Sequence, residues 1–165
     1  MKVAIGQDSH RFTDSMENTK TSEKHDNAGK PLILGGVVFP GECRLKANSD
    51  GDVVLHAITR AVSGITGIDF LGARADGLCR DGIMDSSVYL REAMKDLPGK
   101  VVHVSVSVEC RRPRISPRLD EMRVSIARIM EIPVSAVGLT ASSGEGLTDF
   151  GRGLGINVLA VVTVE

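Results

Sequence analysis

The chain has 165 residues, a formal net charge of −1, a pI near 6.4 and only 3% aromatic residues. This length indicates a single domain, over residues 1–165, that buries a largely aliphatic core. The balanced charge gives no electrostatic reason to expect nucleic acid or a membrane surface as a partner, and no apolar run approaches the roughly 20 residues of a membrane span. The scarcity of aromatics also argues against stacking platforms for single-stranded nucleic acid.

The cysteines indicate a reducing compartment. Cys43, Cys79 and Cys110 are odd in number and form no Cys-x-x-Cys pair. This pattern argues against a disulfide framework and against a cysteine-type zinc site. A strand-like segment begins within the first few residues, so no targeting segment is expected ahead of it. The sequence therefore predicts a cytoplasmic protein.

The first part of the chain alternates short strands with one clear helix. An apolar run predicts a strand over Val3–Gln7, and the almost wholly polar stretch 13–30 predicts a long loop. Residues 31–39 predict two short strands about a Gly-Gly turn. The 3.6-residue spacing of apolar side chains predicts a helix over 52–63.

The second part opens with residues 64–84, which contain five glycines and are predicted to be irregular. Further elements are then predicted: a helix over 85–97, a strand over 101–110 with Val102, Val104, Val106 and Val108 on its buried face, a helix opened by Ser116–Pro117 and stopped by Pro133, and strands over 137–141 and 156–164. This order predicts an α/β fold, more narrowly an α+β sandwich, with helices packed on one face of a mixed sheet.

The strongest chemical signal is a set of one carboxylate and two imidazoles. Asp8 and His10 are two residues apart, so on a strand their side chains leave the same face. His56 follows 46 residues later, in a segment that turns from loop to helix. This donor set suits zinc, and three protein ligands leave a coordination position open for catalysis. The alternative is that each histidine is incidental.

Two loops have compositions that suit phosphate groups. Residues 48–52 precede a predicted helix, whose N-terminal N–H groups and dipole favour an anion; Asp50 or Asp52 can also simply cap that helix. Residues 142–148 are rich in glycine and hydroxyl groups and follow a strand, so their N–H groups can cradle phosphate oxygens beside a cation held by Glu145. An ordinary tight turn is the alternative.

Two further segments contain arginines. Residues 111–117 join a strand to a helix and are interpreted either as a base-recognition loop with arginines near phosphates or as a basic solvated loop. Residues 151–155 have a glycine spacing like a dinucleotide fingerprint, but they precede a strand rather than a helix, so this reading is rejected. Arg152 is a candidate anion ligand.

Several segments together identify a family. They are Ile5–Phe12, Leu34–Val37, Ala47–Ala57, Pro113–Arg114 with Met122–Arg123, and Ser143–Leu147 with Gly151–Gly153. In this order, and over essentially the whole chain, they resemble the 2-C-methyl-D-erythritol 2,4-cyclodiphosphate synthase family.

The resemblance implies zinc ligation by Asp8, His10 and His56, and a second ion, Mg²⁺ or Mn²⁺, on Glu145. It implies catalytic roles for a set of polar residues: Asn48, Ser49, Asp52, Ser143 and Glu145. The implied substrate contacts are Asp8, His10, Asn48, Ser49, Asp69, Asp76, Pro113, Arg114, Ile115, Ser116, Ala141, Ser142, Ser143, Glu145 and Arg152. A homotrimer with active sites between subunits is implied as well.

The reaction implied by the resemblance converts 4-diphosphocytidyl-2-C-methyl-D-erythritol 2-phosphate, a cytidine-diphosphate substrate, to the cyclic 2,4-diphosphate with release of CMP. This is a step of the non-mevalonate pathway to isoprenoid precursors. The sequence leaves two alternatives: a zinc-dependent phosphate-ester hydrolase that uses a metal-bound hydroxide, and a non-catalytic trimeric binding protein.

The sequence departs from the family pattern at several points. Asn48 stands where the family commonly has His, and Arg60 stands where an Asp is frequent. Asp149 replaces an aromatic that in relatives lines the central channel of the trimer, where an isoprenoid diphosphate would bind. The polar stretch 13–30 is longer than usual.

Overall fold

The computed structural model describes residues 1–13 and 30–165. Within these residues the strands are β1 (Lys2–Arg11), β2 (Leu32–Leu34), β3 (Val37–Phe39), β4 (Val101–Glu109), β5 (Val137–Ser142) and β6 (Gly155–Val164). The α-helices are α1 (Val53–Thr66), α2 (Ala75–Arg80), α3 (Ser86–Met94) and α4 (Leu119–Met130).

Four of the strands form one mixed sheet with the order β1-β6-β4-β5. Strand β6 is antiparallel to both of its neighbours, and β4 is parallel to β5. The C-terminal ends of β1, β4 and β5 therefore lie at the same end of the sheet. Strands β2 and β3 form a separate hairpin, whose turn glycines Gly35 and Gly36 have φ of +60° and +74°. Such angles are unfavourable for residues with a side chain.

One face of the main sheet is covered by helices. Helix α1 packs against β1 and β6, and α4 packs against β5. Val104, Val106 and Val108 point into this core and are buried. On the opposite face Val3 and Ile5 are 60% and 65% exposed. The predicted mixed sheet is confirmed, and its helices lie on the buried face.

The prediction that residues 64–84 are irregular is wrong. A π-helical turn, Phe70–Arg74, runs into α2. Phe70 is buried in the core, and the turn packs against α1 and α3. Tertiary burial stabilises this segment although its glycines disfavour helix. Gly72, with ψ of −125°, is the point where the helical geometry is interrupted.

Two further sequence predictions need correction. Val102 is 41% exposed, because a register shift between Val101 and His103 takes it out of the alternation. Ser116 does not cap a helix: residues Ser116–Arg118 form a 3₁₀ turn, and α4 begins at Leu119 without a side-chain cap hydrogen bond.

The remaining predicted elements are confirmed, with shifted boundaries. Strand β1 continues to Arg11, so Asp8 and His10 lie within the strand itself. The predicted loop over 13–30 lies outside the described residues except at its two ends. None of the helices in the described part of the chain has the length and apolarity that a bilayer crossing requires.

Candidate active site

Asp8, His10 and His56 form one compact cluster. His10 Nε2 and His56 Nδ1 each lie 3.1 Å from Asp8 Oδ2, and the two nitrogens lie 3.3 Å apart. Among the described residues, this is the one group of three or more potential ligand side chains close enough to hold a metal ion. The predicted association of these three residues is therefore present in the fold.

The donor spacing fits a small divalent cation. Ligands at the 2.0–2.1 Å typical of zinc in tetrahedral geometry are separated by about 3.3–3.4 Å. The three separations in this cluster, 3.1, 3.1 and 3.3 Å, nearly match that edge length. The donor atoms thus have the spacing of three corners of a tetrahedron and leave the fourth corner open.

The surroundings of Asp8 keep its carboxylate ionised. Burial alone raises the pKa of Asp8, but hydrogen bonds and charge interactions with His10 and His56 outweigh burial. The net effect holds the pKa of Asp8 well below its ordinary value of 3.8. Arg60 adds a further cation, since its Nε lies 3.4 Å from Asp8 Oδ1. The carboxylate is therefore ionised at neutral pH.

A close approach of β1 to α1 brings the ligands together. Gly6 shares the strand face of Asp8 and His10, and an added Cβ there would lie 2.1 Å from Ala57 O and 2.3 Å from Ala61 N. Only a glycine lets strand and helix approach this closely. His56, next to Ala57 on the helix, thereby reaches the ligands on the strand.

The cluster lies on the wall of a cavity of about 180 Å³. Three residues predicted to contact substrate also line it: Asn48, Ser49 and Asp76. Asp69 is exposed and is not part of this lining. A larger cavity of about 750 Å³ is lined by Asp50 and Asp52, but not by Asp8, His10 or His56. The smaller cavity is therefore the candidate active site.

Several residues of this cavity were not predicted from the sequence. They are Arg60, Leu71, Ala75, Cys79 and Tyr89. Three of them belong to the segment 64–84, whose helical structure the sequence did not predict. Arg60 was recognised as a departure from the family pattern. Its position one helical turn after His56 is the signal that places it beside the Asp8–His10–His56 cluster.

The carboxylate of Asp52 is bound by backbone groups of the protein itself. It is fully buried, and its carboxylate accepts hydrogen bonds from the N–H groups of Val54, Leu55, Gly35 and Gly36 at 2.6–3.1 Å. Burial raises the pKa of Asp52 to about 6 although these bonds lower it. Asp52 therefore caps α1 through the N–H groups of Val54 and Leu55, which is the alternative interpretation of this segment.

The predicted nucleotide segments follow β4 and β5, and β5 is the edge strand opposite β1. Glu109, at the end of β4, pairs with Ser142 of β5, while His10 pairs with Ile156 of β6. Three strand spacings separate β1 from β5, or about 14 Å. The Asp8–His10–His56 cluster and the loop after β5 therefore lie at the same end of the sheet. They are at opposite edges of it and do not contact each other within one chain.

The loop after β5 is exposed and internally bonded. Ser143 Oγ donates to Glu145 Oε1 at 2.9 Å, and Thr148 donates to Glu109. Glu145 has a left-handed backbone, with φ of +48°. A non-glycine residue rarely adopts this conformation, which is often found at functional sites.

The other predicted contact residues differ in exposure. Pro113 and Ile115 are buried, whereas Arg114 and Ser116 are exposed. Ala141 and Ser142 are exposed near the end of β5. Arg152 is also exposed, and its Nη2 lies 2.6 Å from Asp149 Oδ1. This ion pair partly neutralises the arginine that was predicted to bind an anion.

Comparison with known proteins confirms the resemblance seen in the sequence. The model of the YgbB family matches residues 1–165. The 2-C-methyl-D-erythritol 2,4-cyclodiphosphate synthase of Chlamydia caviae is 46% identical over 166 residues, covering 99% of this chain and 88% of the relative. That of Chlamydia muridarum is 45% identical, with 99% and 87% covered.

Solved structures show the same fold. A 2C-methyl-D-erythritol-2,4-cyclodiphosphate synthase in a CDP-bound form superposes with a TM-score of 0.79 at 29% identity, covering 99% of this chain and 100% of the other. The bifunctional IspDF of Campylobacter jejuni gives 0.77 at 26% identity, with 97% and 41% covered. Since the family model spans the whole sequence and the relatives align over nearly all of it, this chain belongs to the YgbB family.

Proposed function

We propose that the chain converts 4-diphosphocytidyl-2-C-methyl-D-erythritol 2-phosphate to 2-C-methyl-D-erythritol 2,4-cyclodiphosphate and releases CMP. The observation that carries this proposal is the Asp8–His10–His56 cluster on the wall of a cavity, in a chain whose relatives are synthases of this name. The CDP-bound neighbour supports a cytidine-diphosphate ligand. The enzyme is thus a phosphorus–oxygen lyase.

Zinc is the metal proposed for Asp8, His10 and His56, one ion per subunit. Two imidazoles and one carboxylate suit it, and the donor spacing supports a tetrahedral site. When bound, the ion acts as a Lewis acid on a phosphate oxygen of the substrate. Glu145, exposed and held in an uncommon backbone conformation, is proposed to bind Mg²⁺ or Mn²⁺ together with the diphosphate.

The substrate is proposed to lie between two subunits of a homotrimer. One argument is that the loop after β5 and the Asp8–His10–His56 cluster lie at opposite edges of the sheet, about 14 Å apart. Another is that the sheet face without helices exposes Val3, Ile5 and Leu159 at 60%, 65% and 38%, which suits an assembly interface. In this arrangement residues 113–116 and 141–145 of one subunit would hold the cytidine diphosphate, and the metal cavity of its neighbour would hold the methylerythritol.

The chain's own residues position two phosphates of one substrate. The 2-phosphate oxygen attacks the β-phosphorus, the bond from that phosphorus to the oxygen bridging to CMP breaks, and CMP leaves with its electron pair. No water is consumed and no protein nucleophile is required. Bringing the two anionic groups together is a proximity effect, which can contribute up to about 7–11 kcal/mol in well-aligned cases. Asn48 and Ser49 line the cavity where they can donate hydrogen bonds to a phosphate.

Asp69 and Asp76 are proposed to bind the hydroxyl groups of the methylerythritol. The proposal is better supported for Asp76, because Asp76 lines the cavity. Ser143 is proposed to orient Glu145, and Arg152 to contact phosphate after its ion pair with Asp149 opens. Asp52 is proposed to act indirectly, by fixing the start of α1 and the hairpin turn. We also propose that residues 1–165 form one domain.

Hydrolysis by a metal-bound hydroxide is not favoured, because the relatives are synthases. Incubating the metal-loaded protein with the cytidyl substrate and recording ³¹P spectra tests the proposal. Equal amounts of CMP and cyclic diphosphate are expected. Binding without any release of CMP would instead indicate a non-catalytic protein.

All three cysteines are unpaired, which supports the expectation of a reducing, cytoplasmic environment.

A further inference from the structure

A buried hydroxyl stands behind the metal cluster. Ser86, the first residue of α3, is fully buried, and its Oγ lies 2.9 Å from His56 Nε2. The same hydroxyl donates a hydrogen bond to Asp50 Oδ1, and the Ser86 N–H donates to Asp50 Oδ2 at 3.0 Å. We propose that Asp50 and Ser86 are positioning residues that fix the tautomer of His56. The inference rests on the proposed metal site.

The positions of the protons follow from counting donors. A carboxylate only accepts hydrogen bonds, and a serine hydroxyl has one proton to give. Because Ser86 gives that proton to Asp50, its Oγ can only accept from His56. In the neutral imidazole, His56 Nε2 therefore carries the single proton and Nδ1 keeps its lone pair. The hydrogen bond from Nδ1 to Asp8 belongs to the doubly protonated ring, in which both nitrogens are donors.

That lone pair points into the donor cluster. His56 Nδ1 lies 3.1 Å from Asp8 Oδ2 and 3.3 Å from His10 Nε2. The opposite tautomer would place a proton on Nδ1, where the metal must bind. The chain Asp50–Ser86–His56 thus prepares the histidine for metal binding, as carboxylates and hydroxyls behind metal ligands do generally.

Asp50 is itself held firmly. Its carboxylate accepts a further hydrogen bond from Asp52 N–H at 3.1 Å, and its own N–H donates to Met84 O at 2.9 Å. Asp85, rather than Ser86, caps α3 through Ser87 N–H at 2.8 Å. The Ser86 N–H and hydroxyl are therefore both available to Asp50. Ser49 Oγ, at 3.3 Å from His56 Nε2, is the more distant hydrogen-bond partner.

The test compares Ser86→Ala with Ser87→Ala. Ser87 is the next residue of the same helix turn, and its hydroxyl accepts from Arg91 rather than contacting His56. Zinc affinity is measured by chelator competition, and Ser86→Ala is expected to bind about 10- to 100-fold more weakly than the parent. Ser87→Ala is expected to match the parent.

A second measurement starts with the parent, so its main result does not depend on how the variants fold. Long-range ¹H–¹⁵N spectra of the metal-free parent at pH 8, with labelled histidine, report which ring nitrogen of His56 is protonated. We expect the proton on Nε2 in the parent and in Ser87→Ala, and a tautomer mixture in Ser86→Ala.

Two results would overturn the inference: a proton on Nδ1 in the metal-free parent, or Ser86→Ala binding zinc as tightly as Ser87→Ala. A parent that binds no metal would overturn the metal site and this inference together. A parent that binds zinc and shows the expected tautomer but releases no CMP would refute the proposed function alone.

Discussion

The substitution Gly6→Ala tests how the fold positions the metal ligands. A Cβ at this position would lie 2.1 Å from Ala57 O and 2.3 Å from Ala61 N, whereas ordinary contacts begin at 3.4 Å. Backbone atoms of a packed strand and helix cannot yield locally, so β1 and α1 must separate by about 1 Å. Asp8 lies on the strand and His56 on the helix, so their 3.1 Å separation opens by a similar amount.

The expected loss is large at the site and moderate for the fold. Overpacking of this kind destabilises a core by about 1–3 kcal/mol, and a misplacement of about 1 Å can reduce catalysis about 100-fold. We expect Gly6→Ala to lower the melting temperature, to weaken zinc binding and to reduce kcat/KM about 100-fold. Calorimetry, chelator competition and a CMP-release assay measure these three quantities.

Gly77→Ala is the matched control. Gly77 lies in α2, and an added Cβ there would meet nothing within 4 Å. This variant should keep zinc affinity and activity, and its stability should rise slightly, because alanine favours helix over glycine by up to about 1 kcal/mol. Parent-like zinc affinity and activity in folded Gly6→Ala would refute the idea that the close approach at Gly6 assembles the site.

Further predictions concern individual side chains. His56→Ala should fold but lose stoichiometric zinc and activity, since two ligands hold the ion poorly; metal analysis after dialysis decides this. Glu145→Gln should retain zinc but respond less to added Mg²⁺, because an amide lacks the charge that a hard cation prefers; an unchanged Mg²⁺ titration would contradict the assignment. Asn48→Ala should lower kcat/KM more than Asn48→His, by roughly 1–3 kcal/mol in transition-state free energy, because a substrate phosphate loses a partner; equal activity of the parent and Asn48→Ala would make this a loop-shaping residue. In metal-free protein, the lowered pKa of Asp8 stabilises the fold above that residue's ordinary pKa of 3.8, and this contribution is lost as pH falls through and below that value; urea unfolding should therefore show Asp8→Asn weaker than the parent at pH 6 and the difference shrinking towards pH 3.

The sequence predicts that Asp8, His10 and His56 come together because two simple rules apply. The alternation of a strand places Asp8 and His10 on one face, and the helix that starts after Asp52 carries His56 towards them. Gly6, two residues before Asp8, is the further requirement for the helix to approach. Its role depends on a contact between elements some 50 residues apart in sequence, which no local pattern encodes.

Residues that depend on tertiary packing were not predicted. Leu71 and Cys79 reach the cavity only because the segment after α1 turns back as helix, stabilised by burial of Phe70 rather than by local propensity. Ser86 was predicted only as a residue of the helix over 85–97, and its contacts with Asp50 and His56 are visible only in three dimensions. The bulge that exposes Val102 likewise leaves no mark on an otherwise regular alternation.

The most direct test of the proposed reaction is to run it in water enriched in ¹⁸O. Attack by the substrate's own 2-phosphate should give CMP and the cyclic diphosphate in equal amounts, both without ¹⁸O, and removal of zinc should stop the reaction. One atom of ¹⁸O in a linear phosphate product would show attack by water and would contradict the proposed cyclisation.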